Sequence, residues 1–194
     1  MDEYLERYRR RADAFEAKVA SVQPGQWANP SPCVAWTALD VVNHIVEMHD
    51  AMLRPLGAEL TPGATVQSDP LTAFQSARAD IEGRLESPEL AAVECQTPSG
   101  PMSFGQHVDG VVSEDMVIHG WDLAKATEQD PTIDPVEVAR LWPACQQIPA
   151  EVVAKLRTPG AFGPGVEVFG PEYPVMDDAT DEQRLIAFFG RNPY

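Results

Sequence analysis

The chain has 194 residues, with 14 Lys and Arg residues against 30 Asp and Glu residues and a net charge of −16. Because contacts to phosphate groups need clustered basic side chains, this charge argues against a nucleic-acid partner and against binding to an anionic membrane surface. The length and an apolar content of 44% predict one globular domain with a buried core.

The first two helices are indicated by apolar periodicity and by capping residues. Apolar side chains recur every three or four positions over residues 5–22, which predicts an amphipathic helix that the following Pro-Gly pair ends. Thr37, with Asp40 at the third helical position, is typical of a helix N-terminus. The second helix is therefore expected to run from there to about Leu53.

The next two helices flank a turn. Asp69 followed by proline predicts the start of a third amphipathic helix, which ends at the next Ser-Pro pair. Residues 93–104 contain the run Thr-Pro-Ser-Gly at their centre, which indicates a turn or short hairpin. Ser103 and Gln106 form a capping-box pattern, and a fourth helix is predicted from there to about Thr127.

The C-terminal third alternates short elements with loops. We expect a fifth helix over residues 134–145 and a short one over 150–157. Val166, Val168 and Phe169 could form a small strand. A capping-box pattern at Thr180 predicts a last helix that a glycine ends.

These elements predict a mainly α fold, a four-helix bundle with a small extension of short strands plus a helix. The whole chain, residues 1–194, is interpreted as a single domain. Its four-helix core is assigned to residues 1–130, and residues 131–194 are expected to pack on that core. Because apolar stripes of helical bundles commonly pair, a homodimer is a further expectation.

The predicted compartment is the cytoplasm. No apolar run approaches the ~18 residues of a spanning helix, and the charged N-terminal segment has no apolar stretch behind it. The three cysteines form no Cys-x-x-Cys pair, so they predict neither a disulfide framework nor a thiolate zinc site. We expect them to be small buried hydrophobic residues: Cys33, Cys95 and Cys145.

Two of the four histidines suggest a metal site. His44 lies in the middle of the second predicted helix, among apolar neighbours, and His119 lies in the middle of the fourth. Asp115 precedes His119 by four residues and therefore shares its helix face. This pair can offer a carboxylate oxygen and an imidazole nitrogen to one cation, and His44 would be the third ligand.

Two histidines and one carboxylate are typical ligands of Zn²⁺, of non-haem Fe²⁺ or of Ni²⁺, with coordination positions left for water or substrate. Asp122, three residues beyond His119, could orient the His119 ring as a hydrogen-bond partner. Such Asp and His pairs also arise by chance, so a structural, ion-paired role stays open.

The sequence signal for a functional role is weaker at several other residues. His107 and Trp121 are candidates for lining a pocket, with core packing as the alternative. His49 should face away from His44 and lie on the surface. Cys33 stands just before the second helix, whose dipole could lower the pKa of the thiol and make it a nucleophile. The three arginines at residues 9–11 are expected to form a solvated face.

Three sequence blocks resemble a known group of proteins. The run SPCVAWTALDVVNHIVEMH is similar to the Pro-x-x-x-Trp-Thr-x-x-Asp-x-x-x-His opening of the second helix in actinobacterial proteins of the maleylpyruvate isomerase and DinB/YfiT-like superfamily. The run EDMVIHGWDLAKATEQD resembles their metal-bearing helix, and the tail FGPEYPVMDDATDEQRLIAFFGRNP resembles the ending of one actinobacterial branch. The blocks lie in the same order and span nearly the whole chain.

The resemblance implies a DinB-like four-helix bundle that holds a divalent cation, most simply Zn²⁺, through His44, Asp115 and His119. Asp115 departs from the pattern, since the thiol-dependent branch usually has Glu there and the wider superfamily has His. The shorter Asp would have to sit closer to the metal.

Members are often mycothiol- or bacillithiol-dependent transferases and isomerases, in which the metal is thought to lower the pKa of the cofactor thiol. The leading hypothesis is therefore a metal-dependent protein that activates a low-molecular-weight thiol, such as mycothiol, or a water for transfer, isomerisation or hydrolysis of a small molecule. The alternatives are a non-catalytic bundle that binds a small ligand or a metal, and a dimeric structural module with a degenerate site.

Overall fold

The computed structural model describes residues 3–97, 100–160 and 169–194, and it is mainly helical, as predicted. None of the helices in these ranges is long and apolar enough to cross a membrane. The elements in chain order are α1 Glu3–Ser21, a 3₁₀ turn Pro24–Gln26, α2 Ala38–Leu53, a 3₁₀ turn Arg54–Leu56, α3 Pro70–Leu85, α4 Pro88–Ala91, β1 Glu94–Thr97, β2 Gly100–Ser103, α5 Phe104–Val108, a π-helical segment Asp109–Ser113, α6 Glu114–Ala126, α7 Pro135–Gln146, α8 Ala150–Leu156 and α9 Asp181–Phe188.

The bundle consists of α1, α2, α3 and a fourth long helix that α5, the π-helical segment and α6 form together. Both α1 and α2 pack between α3 and the fourth helix, so their apolar faces meet in one core. The apolar spacing of α1 predicted this face correctly. The largest side chains of the core that are fully buried include Tyr8, Phe15, Ile45, Leu53, Phe74, Ile81, Phe104, Met116 and Leu123.

The predicted capping boxes set the helix boundaries. At the start of α2, the Asp40 backbone N–H donates to Thr37 Oγ1 (3.2 Å), and the Thr37 N–H donates back to Asp40 Oδ2 (2.8 Å). The same reciprocal pattern begins α5 at Ser103 and α9 at Thr180. Each box satisfies backbone donors that have no partner inside the helix, which fixes where each helix begins.

A two-stranded antiparallel hairpin joins α4 to α5, in the segment where a turn or hairpin was predicted. Its register pairs Glu94 with Ser103 and Cys95 with Met102, and the Cys95 side chain faces the core. Two residues of the connecting turn, at 98–99, lie outside the described ranges.

The C-terminal strand predicted at Val166, Val168 and Phe169 falls mainly on residues 161–168, which are also outside the described ranges. Of its members only Phe169 is described, and it is not in a strand. The two described strands are therefore those of the hairpin between the third and fourth long helices.

The C-terminal extension packs on the outer face of α6. Helices α7 and α9 contact each other, and together with α6 they enclose a second apolar cluster. After α9 the chain reverses at Gly190, whose φ of +86° is readily adopted by glycine. The cluster consists of Ile118, Trp121, Ile133, Val138, Leu141, Cys145, Leu185, Ile186 and Phe188.

The expectation of a solvated arginine face on α1 is wrong for Arg11. This side chain is buried, and its Nη2 lies 2.6 Å from Oε2 of Glu137 on α7. Glu137 also accepts from Arg10, while Arg7 donates through Nε to Asp109 Oδ1 (2.8 Å) in the π-helical segment. Sequence periodicity gave no sign that α7 would cover this face, which is why the arginines were expected in solvent.

Candidate metal centre

His44 on α2 and His119 on α6 face each other across the helix interface, with Asp115 beside both. His44 Nε2 lies 3.0 Å from Asp115 Oδ2, and His119 Nε2 lies 3.7 Å from Asp115 Oδ1. One ligand atom from each of the three residues falls within 4.8 Å of the others. The exposed fraction of the side chains is 12% for His44, 21% for Asp115 and 1% for His119, so the cluster is reached from the Asp115 side.

The hydrogen bonds of His119 determine which nitrogen faces the cluster with a lone pair. Its Nδ1 lies 2.9 Å from Asp122 Oδ2. Since an ionised carboxylate can only accept, Nδ1 carries a proton, and Nε2 is the nitrogen that can offer a lone pair to a cation. His119 Nε2 is buried and has no hydrogen-bond partner among the described residues. An imidazole whose second nitrogen is held by a carboxylate is the usual arrangement of a metal-binding histidine.

The two aspartates are anionic at neutral pH despite their surroundings. Burial alone would raise the pKa of Asp115, but the neighbouring His119 and His44 outweigh it and hold that pKa below its ordinary value. Burial likewise opposes ionisation of Asp122, and Arg191 together with His119 holds its pKa far below the ordinary range. The centre therefore offers negative charge and two imidazoles, which favours a cation.

Trp36 forms one wall of the cluster. Its ring centroid lies 4.9 Å from that of His44 and 5.6 Å from that of His119. The tryptophan ends a tight loop in which Ala35 adopts a φ of +65°, a left-handed conformation that costs a residue with a side chain about 1–2 kcal/mol. The loop is closed by the Trp36 N–H, which donates to the Cys33 carbonyl (3.1 Å). The strained turn thus places the indole against both imidazoles.

Cys33 is buried next to the centre, but its surroundings do not make it a nucleophile. Its Sγ lies 3.3 Å from Asp122 Oδ2, and burial together with the Asp122 charge raises the pKa of the thiol far above its ordinary value. The expectation that a helix dipole lowers this pKa is therefore wrong. The broader prediction is confirmed, because all three cysteines are free and buried.

Two other predicted residues lie away from the cluster. Trp121 lines a cavity of about 80 Å³ between α1 and the extension, along with Phe15 and Ile133. His107 is not among the residues lining that cavity; it is buried on α5, and burial lowers its pKa.

The prediction that His49 lies on the surface is wrong. This histidine follows Val42 and Ile45 on the core stripe of α2 and is fully buried. Its Nδ1 lies 2.6 Å from the Ile45 carbonyl, to which it can only donate, so Nε2 accepts from the Tyr8 hydroxyl at 2.8 Å. His49 does face away from His44, but that direction leads into the bundle core.

Arg191 is the residue of this region that sequence reasoning missed. It is buried, and its Nε and Nη2 donate to the two carboxylate oxygens of Asp122 at 3.1 and 2.8 Å. Nη2 also lies 2.9 Å from Cys33 Sγ. The closing Gly-Arg-x-Pro motif of the tail was the available signal, but nothing in the sequence indicated where the tail docks.

Comparison with known proteins identifies the family. Residues 8–124 match the family model described as the mycothiol maleylpyruvate isomerase N-terminal domain. The chain belongs to this family. An uncharacterized protein from each of two strains of Mycobacterium tuberculosis is 31% identical to it over 186 residues, covering 95% of both chains.

Solved structures of a family member have the same fold. Two crystal structures of the mycothiol-dependent maleylpyruvate isomerase, one of them a mutant, superpose with TM-scores of 0.54 and 0.55 at 17% and 16% sequence identity. The match covers 81% of this chain and 73% of the isomerase. The helical architecture around the His44 and His119 helices is therefore that of the family.

Proposed function

We propose that His44, Asp115 and His119 bind a divalent cation, Zn²⁺ in the first place and Ni²⁺ or Fe²⁺ as alternatives. The observation that carries the proposal is the buried His119 Nε2, which has no hydrogen-bond partner among the described residues and faces the Asp115 carboxylate. A buried polar atom without a partner is costly in a folded protein. A cation at this point would satisfy it.

The donor set fits the size and chemistry of such a cation. Ligand atoms about 2.0–2.1 Å from a tetrahedral Zn²⁺ lie roughly 3.3 Å from one another. The two Asp115 oxygens lie 3.0 Å from His44 Nε2 and 3.7 Å from His119 Nε2, close to that separation, and one ligand atom from each of the three residues lies within 4.8 Å of the others. The short Asp side chain thus reaches both imidazoles, one with each carboxylate oxygen, where the family usually has Glu.

We further propose that the bound cation serves a thiol-dependent transfer or isomerisation of a small molecule. A divalent cation in this position supplies Lewis acidity, which lowers the pKa of a coordinating thiol to near neutrality. The protein's own residues orient and shield the reacting group: Asp122 fixes the His119 ring, and Trp36 covers the two imidazoles on one side. The solved family member is mycothiol-dependent, which supports mycothiol as the thiol.

Metal content and thiol consumption test the two parts of the proposal separately. Protein purified without chelator or nickel resin should contain close to one divalent metal per chain, and His44→Gln or His119→Gln should remove most of it. His107→Gln, a buried histidine outside the cluster, is the matched control and should keep the metal.

Activity is then measured as consumption of mycothiol with a panel of small electrophiles, and as isomerisation of maleylpyruvate. Metal-dependent turnover that disappears in His119→Gln supports an enzyme. Metal binding without turnover on any of these compounds would instead favour the non-catalytic metal- or ligand-binding bundle. Absence of bound metal, with no change in thermal stability on adding Zn²⁺, Ni²⁺ or Fe²⁺, would refute the metal centre.

A further inference from the structure

A continuous chain of buried contacts runs from the C-terminal tail to His119. Arg191 contacts Asp122 with two nitrogens, and Asp122 contacts His119 Nδ1 at 2.9 Å. We propose that Arg191 is a positioning residue, which fixes the His119 ring through Asp122 and so couples docking of the C-terminal tail to binding of the cation. This inference rests on the proposed metal centre.

Asp122 depends on Arg191 for its orientation. The carboxylate is fully buried, and an isolated charge in that environment is strongly unfavourable. Its Oδ2 accepts from His119, from Arg191 Nη2 and from the Cys33 thiol, whereas its Oδ1 accepts from Arg191 Nε. The paired Nε and Nη2 bonds hold the carboxylate plane, so that Oδ2 stays directed at His119 Nδ1.

Arg191 is itself held in place by the backbone of the tail. Its N–H donates to the Ile186 carbonyl (3.2 Å) and its Nη1 donates to the Phe189 carbonyl (2.8 Å). The preceding Gly190 packs so closely on Gly170 that a Cβ at Gly190 would lie 2.6 Å from the Gly170 Cα. The guanidinium thus enters the bundle at a defined position, set by the fold of the extension.

Arg191 also explains why Cys33, Asp122 and His119 are not interpreted as a second metal site, although their ligand atoms lie within 4.8 Å of one another. The guanidinium is 2.8–2.9 Å from Asp122 Oδ2 and Cys33 Sγ. It supplies the positive charge that a cation would otherwise bring there. By touching Cys33 it also contacts the loop that carries Trp36, so the tail supports two sides of the centre.

The expected effect follows from the role of hydrogen-bond partners that orient metal ligands. Loss of such a partner typically weakens metal affinity about 10–100-fold. Because the coupling of two binding events is reciprocal, a bound cation should in turn stabilise the docked tail. We therefore expect Arg191→Met to weaken Zn²⁺ binding within that range, and Zn²⁺ to protect the tail of the unmodified protein from proteolysis.

The test compares the unmodified chain with Arg191→Met and Arg191→Lys. Two properties are measured: the Zn²⁺ affinity, by chelator competition, and the visible spectrum of the Co²⁺-loaded protein. The Lys variant keeps the charge but cannot make the paired bonds, and it remains measurable if the Met variant fails to fold. Arg157→Met is the matched control, because Arg157 also anchors the extension, through the Phe188 carbonyl (2.8 Å), but its hydrogen bonds within the described part of the chain do not reach Asp122. Asp122→Asn, alone and with Arg191→Met, completes a double-mutant cycle.

The proposal is supported if both Arg191 variants bind Zn²⁺ more weakly and have an altered Co²⁺ spectrum, while Arg157→Met leaves both properties unchanged. It also predicts that the effect of Arg191→Met largely disappears when Asp122 is already Asn. Unchanged affinity and spectrum in the Arg191 variants would overturn it while leaving the metal centre intact. Equal losses in the Arg191 and Arg157 variants would also overturn it, because they would indicate general loosening of the extension. If the unmodified chain binds no cation, the proposed metal centre fails first and this inference falls with it.

Discussion

His49 should make the stability of the protein depend on pH between about 6.5 and 4. Burial inside the bundle lowers the pKa of His49 from 6.5 to about 4, because the core disfavours the charged ring. The unfolded chain therefore takes up a proton at a pH where the folded chain does not. The stabilisation from the neutral ring is complete above pH 6.5, and it is lost as the pH falls towards 4.

The size of this effect follows from the shift. At about 1.4 kcal/mol per pKa unit, a pKa that falls from 6.5 to about 4 corresponds to about 3–4 kcal/mol of unfolding free energy, of which about 3 kcal/mol is lost between pH 7 and pH 4. A change of that size is a large part of the 5–15 kcal/mol that a domain typically has. We therefore expect a marked loss of stability in mild acid, well before most carboxylates titrate.

The assay is chemical denaturation at pH 7, 6, 5 and 4 in the presence of a chelator, which removes any contribution of bound metal. The double variant Tyr8→Phe/His49→Leu replaces both partners of the buried hydrogen bond with apolar side chains of similar size, so that neither is left unpaired. The difference in unfolding free energy between the unmodified chain and this variant should fall by about 3 kcal/mol between pH 7 and pH 4. Tyr8→Phe alone, which keeps the histidine, should retain most of the pH dependence. An equal pH dependence in the double variant would refute the reasoning.

Two further predictions concern stability, and both are measured by thermal or denaturant unfolding. Arg11→Met should destabilise the protein by about 3–5 kcal/mol because it breaks a buried ion pair with Glu137. Arg54→Met is the control: the arginine side chain of its ion pair is 69% exposed, so the loss should be less than about 1 kcal/mol. Similar losses of stability in the two variants would contradict this prediction. Gly190→Ala should cost about 1–3 kcal/mol from overpacking against the 170–171 backbone, in addition to its positive φ. Gly57 has a similar φ, but a Cβ added there would have no neighbouring atom within 4 Å. Gly57→Ala should therefore show only the cost of the backbone conformation. A larger loss of stability at Gly57 than at Gly190 would contradict the packing argument.

The regular helices could be predicted from the sequence because the signals that form them are local. The apolar stripe of α1 follows from side-chain spacing, and the box at Thr37 and Asp40 specifies the first turn of α2. The pairing of Asp115 with His119 also follows from spacing on one helix. These features depend on residues three or four positions apart, which a linear reading detects.

The features that were missed depend on contacts between distant segments. The burial of Arg11 results from α7, more than 120 residues later, and the position of Arg191 depends on how the tail docks after Gly190. The position of His49 was predicted wrongly because its angle from His44 around the axis of α2 shows only that the two side chains face different ways. Which of the two directions is the core depends on the helices that pack against α2. The π-helical turn Asp109–Ser113 has no periodicity signal in the sequence, since one wide turn changes the phase of the helix by only about one residue.

The most direct test of the central claim is a crystal structure of the protein grown with Zn²⁺, with anomalous data collected at the zinc edge. We predict one anomalous peak bounded by His44 Nε2, Asp115 and His119 Nε2, with nitrogen and oxygen ligands at about 2.0–2.2 Å and with His119 Nδ1 still on Asp122. Zinc bound elsewhere, or no peak while His44 stays hydrogen-bonded to Asp115, would contradict the account.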